Sequence, residues 1–457
     1  MPSKTASRRR RAGGRAAAPA PTAPVPATPP QSGTPPVTLK VHPRPGLLGR
    51  RLRLQQLVLV EVAAALVAVG WTIDRMAAIG AAVPALVLLV FALVPVRGRT
   101  LGEALRVRSA QRARRRESPG SVPPGTDPAL APALELDPAL RTCTHATEAD
   151  LGGGRPVRRE TGMIGDGTFL TSVLLVQAKD QPLRPTRTTL PLPLDVVCSA
   201  LRVDDIALES IQVVQHTQPA PAPHLPEQAL AARAYRELPG GPTTPALRLT
   251  WVALKLDPER AATAVLARGG GEEGARKALQ RVTDQLAGRL NSAGFTATVL
   301  DERELIAALS IATCANPLAT TGRQGSGSGG QVNRRTQEMR RFWRVDDRYH
   351  TTYWVSRWPQ LGLRDGRAGR TTAPDLVNLL TGVPALASAF SLTARPGTGD
   401  AVALSGHVRV VARSEHDAAQ FGRQLEQRAQ SAGLGLSRLD QEQAPGLLAT
   451  LPLGGTC

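Results

Sequence analysis

Two long apolar runs dominate the hydropathy pattern. Leu54–Ile73 is apolar except for Gln55, Gln56, Glu61 and Thr72, and Met76–Val96 carries no charge at all. As a helix rising ~1.5 Å per residue the second run spans roughly 31 Å, the thickness of a bilayer core. Asp74 and Arg75 stand between the runs as a minimal turn. The pattern predicts a transmembrane hairpin of two helices, about 54–73 and 76–96, with Trp71 at the interface beside the turn. Glu61 lies two turns inside the first span. An ionisable group at that depth is costly, which makes Glu61 a candidate intramembrane helix contact; the alternative is that it snorkels to the head groups. A cleaved signal peptide fits poorly, because the basic leader is long and a second span follows.

Beyond residue 160 the pattern switches to short strands and amphipathic helices. Strands are expected at Thr168–Ala178, Ile211–Thr217, Leu247–Leu256 and Phe295–Leu300, with helices at Leu194–Val203 and Gly274–Ala293. A second set follows. Its strands are Thr351–Trp358, Phe390–Ala394, Ala401–Val411 and Leu434–Leu439, and its helices Leu376–Leu380 and Asp417–Ala432. The two sets share a string, Q-L-x-x-R-x-x-S-A-G, from Gln285 to Gly294 and again from Gln424 to Gly433, and each copy leads to a Leu-Asp pair, Leu300-Asp301 and Leu439-Asp440. In each copy Gly closes a helix. The expected fold class is α/β (α+β): the hairpin, then two tandem ferredoxin-like (βαββαβ) units over 161–318 and 341–457. One larger mixed α/β domain without duplication is the alternative. Further helices are expected at Glu302–Ala312 and Gln441–Ala449. Residues 1–50 read as a disordered Arg/Pro/Ala-rich arm, 97–160 as a basic exit helix and a Pro-rich linker, 219–244 as an insertion in the first unit, and 319–340 as a Gly/Ser linker.

Charge sharpens the membrane reading. The 457 residues carry 56 Lys and Arg against 37 Asp and Glu, a net +19. Residues 1–56 hold +11 and 97–117 hold +6, whereas 118–457 hold only +3. The excess therefore brackets the apolar block. Arg50, Arg51 and Arg53 on one side, with Arg97 and Arg99 on the other, are the expected membrane-interface charges, and the positive-inside rule puts both flanks in the cytoplasm. Such residues attract anionic lipids by about 1 kcal/mol each. Nearly all the basic residues are Arg in a chain also rich in Ala, Gly and Pro, a composition that coding bias explains, so no nucleic acid is expected as a partner.

Candidate chemistry is sparse. Cys143, Cys198, Cys314 and Cys457 are scattered without a C-x-x-C, which argues against a disulfide scaffold or a structural zinc site. Gly269–Gly274 (GGGEEG) formally matches G-x-G-x-x-G, but it stands about a dozen residues after a strand and its two Glu residues would repel phosphate. The same letters resemble the signature of diguanylate cyclases, but here they open a helix. The pairs Asp204-Asp205 and Asp346-Asp347 suit turns or caps better than a metal, because no third ligand completes either. No catalytic residues and no cofactor are expected. Trp343, Tyr353, Trp354 and Trp358 are too many aromatics for one small core, so one face of their strand is expected to meet the sister unit or a partner.

Several strings in order resemble the EccE family of the actinobacterial type VII (ESX) secretion system. They are LVPVRGRTLGEAL (Leu93–Leu105), GMIGDGTFLTSVL (Gly162–Leu174), SIQVVQHTQPAPAPHLPEQALAARAY (Ser210–Tyr235), ALRLTWVALKLDPE (Ala246–Glu259), CANPLA (Cys314–Ala319), HTTYWVSRWPQ (His350–Gln360) and PGLLATLPLGGT (Pro445–Thr456). The resemblance implies a non-catalytic subunit at the edge of a membrane assembly, bracing it beside the B, C and D components, of which C is the ATPase. It implies a multi-pass protein of the bacterial cell membrane with the N-terminus and the large C-terminal domain in the cytoplasm. The rival expectations are a membrane-tethered cyclase or glycosyltransferase-like enzyme using nucleotides, and a tether to anionic lipid or nucleic acid through the Arg-rich flanks.

Overall fold

A computed structural model describes residues 39–41, 54–93, 95–96, 99–117, 126–149, 157–179, 191–219, 245–317, 334–359, 372–399 and 401–455, with a few isolated positions between them. The expected arm over 1–50 lies outside these residues apart from a short strand, β1 (Leu39–Val41). Arg50, Arg51, Arg53, Arg97 and most of the expected insertion 219–244 also lie outside them.

Helices α1 (Leu54–Ile73) and α2 (Arg75–Leu93) pack side by side. At the turn the Asp74 carboxylate accepts from the Arg75 amide at 2.6 Å. The line of contact consists of small residues at seven-residue spacing. Ala63 and Gly70 on α1, and Ala78 and Ala85 on α2, are buried. A Cβ at Gly70 would come within 3.0 Å of the Ala78 Cα, so the backbones approach as closely as a small-residue interface permits. The outer surface stays apolar, with Val69, Trp71, Ile73, Met76, Ile79, Val83 and Leu86 each more than half exposed. Helix α2 ends at Leu93 rather than at Val96. Pro95 disfavours the helical conformation at the residue before it and has no amide to donate. Instead β2 (Pro95–Val96) pairs with β3 (Arg99–Thr100), and α3 (Leu101–Glu117) follows. Side chains of the two long helices are described at Val58, from Val60 to Ile73 and from Arg75 to Val90. Among the described residues no helix is long and apolar enough to cross a membrane.

A mixed α/β body follows, built on one large sheet that is antiparallel apart from the parallel β1. Its first half contains β4 (Arg141–Ala149), β5 (Val157–Gly165), β6 (Leu170–Ala178), β9 (Ser210–Pro219), β10 (Pro245–Leu256) and β11 (Phe295–Val299). The short strands β7 (Arg202–Val203) and β8 (Ile206–Ala207) form a separate hairpin. Its second half contains β12 (Thr336–Glu338), β13 (Trp343–Val345), β14 (Arg348–Arg357), β15 (Ala387–Pro396), β16 (Val402–Ala412) and β17 (Gly435–Arg438). The helices are α4 (Ala131–Leu134), α5 (Leu194–Ser199), α6 (Ala262–Ala267), α7 (Gly271–Ser292), α8 (Glu302–Thr313), α9 (Ala373–Thr381), α10 (Glu415–Ser431) and α11 (Gln443–Leu448).

The halves mirror each other in strand order. The first runs β11-β6-β10-β9 and the second β17-β14-β16-β15, every neighbouring pair antiparallel. They join where β9 pairs with β15, from Ile211↔Ala394 to Thr217↔Ser388. The outer strands follow the same plan. β5 takes the edge of β6 at Leu170–Ser172, where β11 stops, and β13 takes the edge of β14 at Arg348–His350, where β17 stops. The stretches expected as linkers therefore contain strands: β4 and the start of β5 within 97–160, and β12 within 319–340. Their sequences, RTCTHATEA and TQE, are rich in Thr, which suits a pleated strand, but lack the large apolar residues that make a strand visible.

Each half packs its crossover helices on one face. Helix α7 places Ala275, Leu279, Val282, Leu286 and Leu290 at helical spacing against Leu174, Val252 and Leu254. In the second half Leu380 and Leu425 cover Tyr353, Val408 and Val410. Burying each such Leu or Val contributes roughly 1.5–3 kcal/mol. The opposite face carries one cluster that runs beneath both halves. It joins Val173, Val214 and Trp251 to Leu305 and Leu309 of α8, and Trp343 and Val345 to Leu447 of α11. Helix α8 begins with a capping box between Asp301 and Glu304.

The C-terminal strap Leu451–Gly455 crosses the join. Thr171 and Ser210 hydroxyls donate to the carbonyls of Leu453 and Gly454 at 3.1 and 2.7 Å, and the Gly454 amide donates to Gln212 Oε1 at 2.9 Å. Gln212 in turn donates to Ser391 Oγ of the other half at 2.8 Å and to the Ala449 carbonyl at 2.9 Å. Gly454 has φ +89°, and a Cβ there would lie 2.5 Å from the Lys255 Cβ. Lys255 is itself buried in an ion pair with Glu209 at 3.1 Å. The strap needs glycine for its backbone conformation and for this close approach.

Beside the join lies Arg409, wholly buried. It donates to the Ala312 carbonyl and to His350 Nδ1, the latter at 3.2 Å. Ala312 is in the last turn of α8, whose negative dipole end favours a cation there. Burial nevertheless pulls the Arg409 guanidinium down to about 10. It also holds His350 well below its usual range and His216 down to about 3, with Arg409 adding to both.

Two outcomes are expected. Gly454→Val should lower unfolding free energy by about 2–4 kcal/mol through strain and overpacking, read by denaturant titration of the purified chain. Both histidines stay neutral when folded but take up protons when unfolded, so the unfolded state gains as pH falls through 6.5 toward the folded values. Stability should therefore drop by on the order of 1 kcal/mol per pH unit for each, and His216→Gln should flatten that slope between pH 6.5 and 4.

Candidate coupling site at the basic helix

Helix α3 continues from the α1–α2 hairpin and docks on β12, the last strand on its side of the sheet. An edge strand has unpaired carbonyls, and arginine and glutamine donors suit them. Arg115 donates from Nε and Nη2 to the Glu338 carbonyl at 3.1 and 2.6 Å, and Gln111 Nε2 donates to the Met339 carbonyl at 3.2 Å. Arg114 forms a two-pronged pair with the Glu338 carboxylate at 3.3 and 3.1 Å and also reaches the Gln441 carbonyl at 2.9 Å. Glu338 is nearly buried, and its Oε1 also accepts from the Ala444 amide at 3.2 Å, at the start of α11. One carboxylate thus ties the basic helix, the sheet edge and α11 together.

A second buried pair fixes the other side of β12. Glu135, just past α4, accepts from the amides of Arg335 and Thr336 at 2.8–3.0 Å. The Arg335 guanidinium grips Asp346 at 2.9 and 2.7 Å and donates to the Pro128 carbonyl at 3.0 Å. Asp346 sits in the β13–β14 turn with φ +50° and also accepts from the Asn316 amide at 3.0 Å. Residues from 114 to 444 are therefore cross-linked by charge-assisted hydrogen bonds, the stronger class. These contacts fix α3, β12 and the start of α11 to one another.

The residues singled out from sequence fall as follows. Glu61 lies on the exposed side of α1, away from its contact with α2. Arg99 belongs to β3, and its side chain is outside the described positions. Trp343 and Tyr353 are each 1% exposed and Trp354 is 8% exposed. Trp343 meets His350 edge-on at 4.9 Å within the cluster shared by both halves. Trp358 is half-buried, and a Cβ at Gly406 would lie 2.6 Å from its ring. Trp343, Tyr353 and Trp354 are thus buried within this chain, while Trp358 packs half-exposed at the margin of the second core. Helices cover both faces of β14, so both sides of the strand find burial internally, and only the meeting with the sister half remains.

The other motifs are structural. Asp204 and Asp205 form the β7–β8 turn; Arg268 grips Asp205 at 2.8 and 2.7 Å and holds its carboxyl below the usual range, while Arg281 reaches Asp204 at 3.3 Å. Gly269–Gly271 have φ of +106°, +72° and +58° and turn α6 into α7, so the turn follows a helix and not a strand. Glu272 and Glu273 pair one turn on with Arg276 and Lys277. Glu338, Arg335 and Glu135 were not legible as a site. The first two stand in a segment that reads as a linker, and Arg114 is hidden in a run of basic residues.

Removing Arg114 leaves Glu338 without its cationic partner. Arg114→Ala should destabilise docking of α3 by about 1–3 kcal/mol, since Arg114 is one-third exposed. Limited proteolysis near residues 117–126 should then become faster, with the sheet core unchanged by hydrogen exchange.

Comparison with known proteins agrees with the resemblance noted from sequence. No curated protein matches the chain. A family model does, over residues 244–355, about a quarter of the length, from β10 through most of β14. That segment includes Arg335, Glu338, Trp343 and Asp346. Over residues 244–355 the chain is similar to the family described as "Putative type VII ESX secretion system translocon, EccE".

Proposed function

We propose that the chain is a structural scaffold subunit of a type VII (ESX) secretion membrane complex, bracing it beside the B, C and D components. The match to the EccE family carries this reading, and the matched segment contains Glu338, the residue of the sheet edge that receives Arg114 and Arg115 of α3. In this reading α1 and α2 sit in the membrane as a hairpin. Support comes from their apolar outer surface, since large exposed apolar patches mark interaction with lipid or protein, and from their small-residue contact line. The N-terminus and the body then lie on the cytoplasmic side of the bacterial cell membrane, with Arg50, Arg51, Arg53, Arg97 and Arg99 near anionic head groups.

We read each half of the body as a ferredoxin-like unit. The strand orders β11-β6-β10-β9 and β17-β14-β16-β15, with helices crossing between strands one and two and between three and four, support this, as does the repeated Q-L-x-x-R-x-x-S-A-G string. Two such units fused along one sheet make a stiff plate rather than a hinged pair, which suits a brace. Glu61, directed away from α2, is the group a neighbouring helix would meet.

The test is gentle detergent extraction of the tagged chain from its native membrane, followed by a native gel and mass spectrometry. The expected result is a large species containing an ATPase and multi-span proteins. A lone small species in several detergents would sink the scaffold reading. Glu61→Leu should reduce the yield of the large species several-fold; an unchanged yield removes Glu61 from the assembly.

A further inference from the structure

Seven arginines gather where α3 meets the sheet edge, and most of them have no carboxylate partner among the described residues. Two adjoining clefts of about 400 and 310 Å³ share Arg115 as a wall. Arg108, Arg112 and Arg340 line one; Arg334, Arg335 and Arg344 line the other. Arg108, Arg112 and Arg115 repeat at helical spacing, which puts like charges side by side on one face of α3 and costs stability. Arg335 belongs to Asp346, and the one acid in the lining, Glu338, belongs to Arg114 and the Ala444 amide. Arg108, Arg112, Arg340 and Arg344 have no carboxylate partner among the described residues. Among the described residues Arg334 donates to the nearby Thr336 carbonyl at 2.8 Å, and the Arg344 Nε is buried without a hydrogen-bond partner. Guanidinium groups held together without acids form a site for an oxyanion that accepts in two-pronged fashion, phosphate above all.

We propose that this paired cleft binds a ligand carrying two phosphates, and that the ligand is the head group of a two-phosphate phospholipid. Two clefts with a common arginine wall match two linked phosphates better than one. The lipid source rests on the hairpin reading above. Arg108 lies seven residues into α3, roughly 10 Å along the helix from its start, and α3 begins eight residues after α2 ends. The cleft is then close enough to the membrane surface for head groups to reach, and basic pockets beside membrane helices bind such lipids. Occupancy would relieve the repulsion among the arginines and fix the body against the membrane at the point where α3 is anchored to Glu338.

The test uses the full chain in a neutral detergent with three probes: cardiolipin in mixed micelles, phosphatidylcholine in the same micelles, and inorganic pyrophosphate. The exposed pair Arg112→Ala/Arg340→Ala is the main variant, and Arg344→Gln is a second that removes the charge but keeps a polar side chain. Cardiolipin should bind at least tenfold more tightly than phosphatidylcholine, weaken with salt, and lose at least tenfold in both variants while their unfolding transitions stay in place. Pyrophosphate should compete. Cardiolipin binding that is equal in the parent chain and both variants overturns the site. Pyrophosphate binding lost in the variants, with no preference for cardiolipin in the parent, overturns the lipid source and assigns the cleft to a soluble diphosphate. Alkaline extraction of native membranes, run in parallel, tests the hairpin separately: a chain released into the wash sinks the membrane reading without touching phosphate binding.

Discussion

The antiparallel pairing of β9 with β15 is the interaction on which the rest of the body depends. It runs from Ile211↔Ala394 to Thr217↔Ser388 and converts two similar halves into one sheet. Each half alone would expose this strand as an edge, with a row of unpaired amides and carbonyls. Joined, the edges vanish and the cluster on the α8–α11 face becomes continuous, so Trp251 of one half and Trp343 of the other share one core. The strap Leu451–Gly455 then closes over the join, and its hydrogen bonds to Thr171, Ser210 and Gln212 can form only once both halves are in place. Folding of the join is therefore coupled to the placement of Leu451–Gly455.

The buried polar groups follow from the same geometry. A join between two sheets brings together side chains from four strands and the ends of two helices, and not all of these can be apolar. Gln212 spans the join by bonding to Ser391 and Ala449. Arg409 fills the space beneath α8 and is stabilised by a helix C-terminus rather than by an acid. Such groups are expensive to bury, and they specify register: a one-residue slip of β15 on β9 would turn Ser391 away from Gln212.

Much of this was visible in the sequence, and the parts that were not share a cause. The long helices α7 and α10 stand out because their apolar residues recur at helical spacing and each closes at a glycine, Gly294 and Gly433, with φ of +92° and +75°. The strands β6, β10 and β16 are legible because they are rich in Val and Leu. Strands β4 and β12 are not, since their polar, Thr-containing sequences lie toward the sheet margins, where hydrogen bonding rather than apolar burial places them. The burial of the aromatics on β13 and β14 has a related cause. A single small core has no room for Trp343, Tyr353 and Trp354 together, but a fused sheet covered on both faces does. The coupling residues were invisible because Arg114 and Glu338 are 224 residues apart and neither belongs to a local motif.

Glu338 connects these strands of argument. Its backbone carbonyl serves Arg115, its carboxylate serves Arg114, and Ala444 fixes the same carboxylate to α11, which packs on the shared core. A displacement of α3 therefore cannot be absorbed locally. It must either break the half-buried Arg114–Glu338 ion pair or move β12 and α11 with it, and α11 leads directly into the strap that holds the join. Stiffness at this point is what a brace requires, since a flexible tether would let the hairpin and the body respond independently. The arginines on the neighbouring face of α3, which have no carboxylate partner among the described residues, fit the same logic. They are destabilising unless an anion sits among them, and an anion bound there would load the one helix whose position the whole sheet registers.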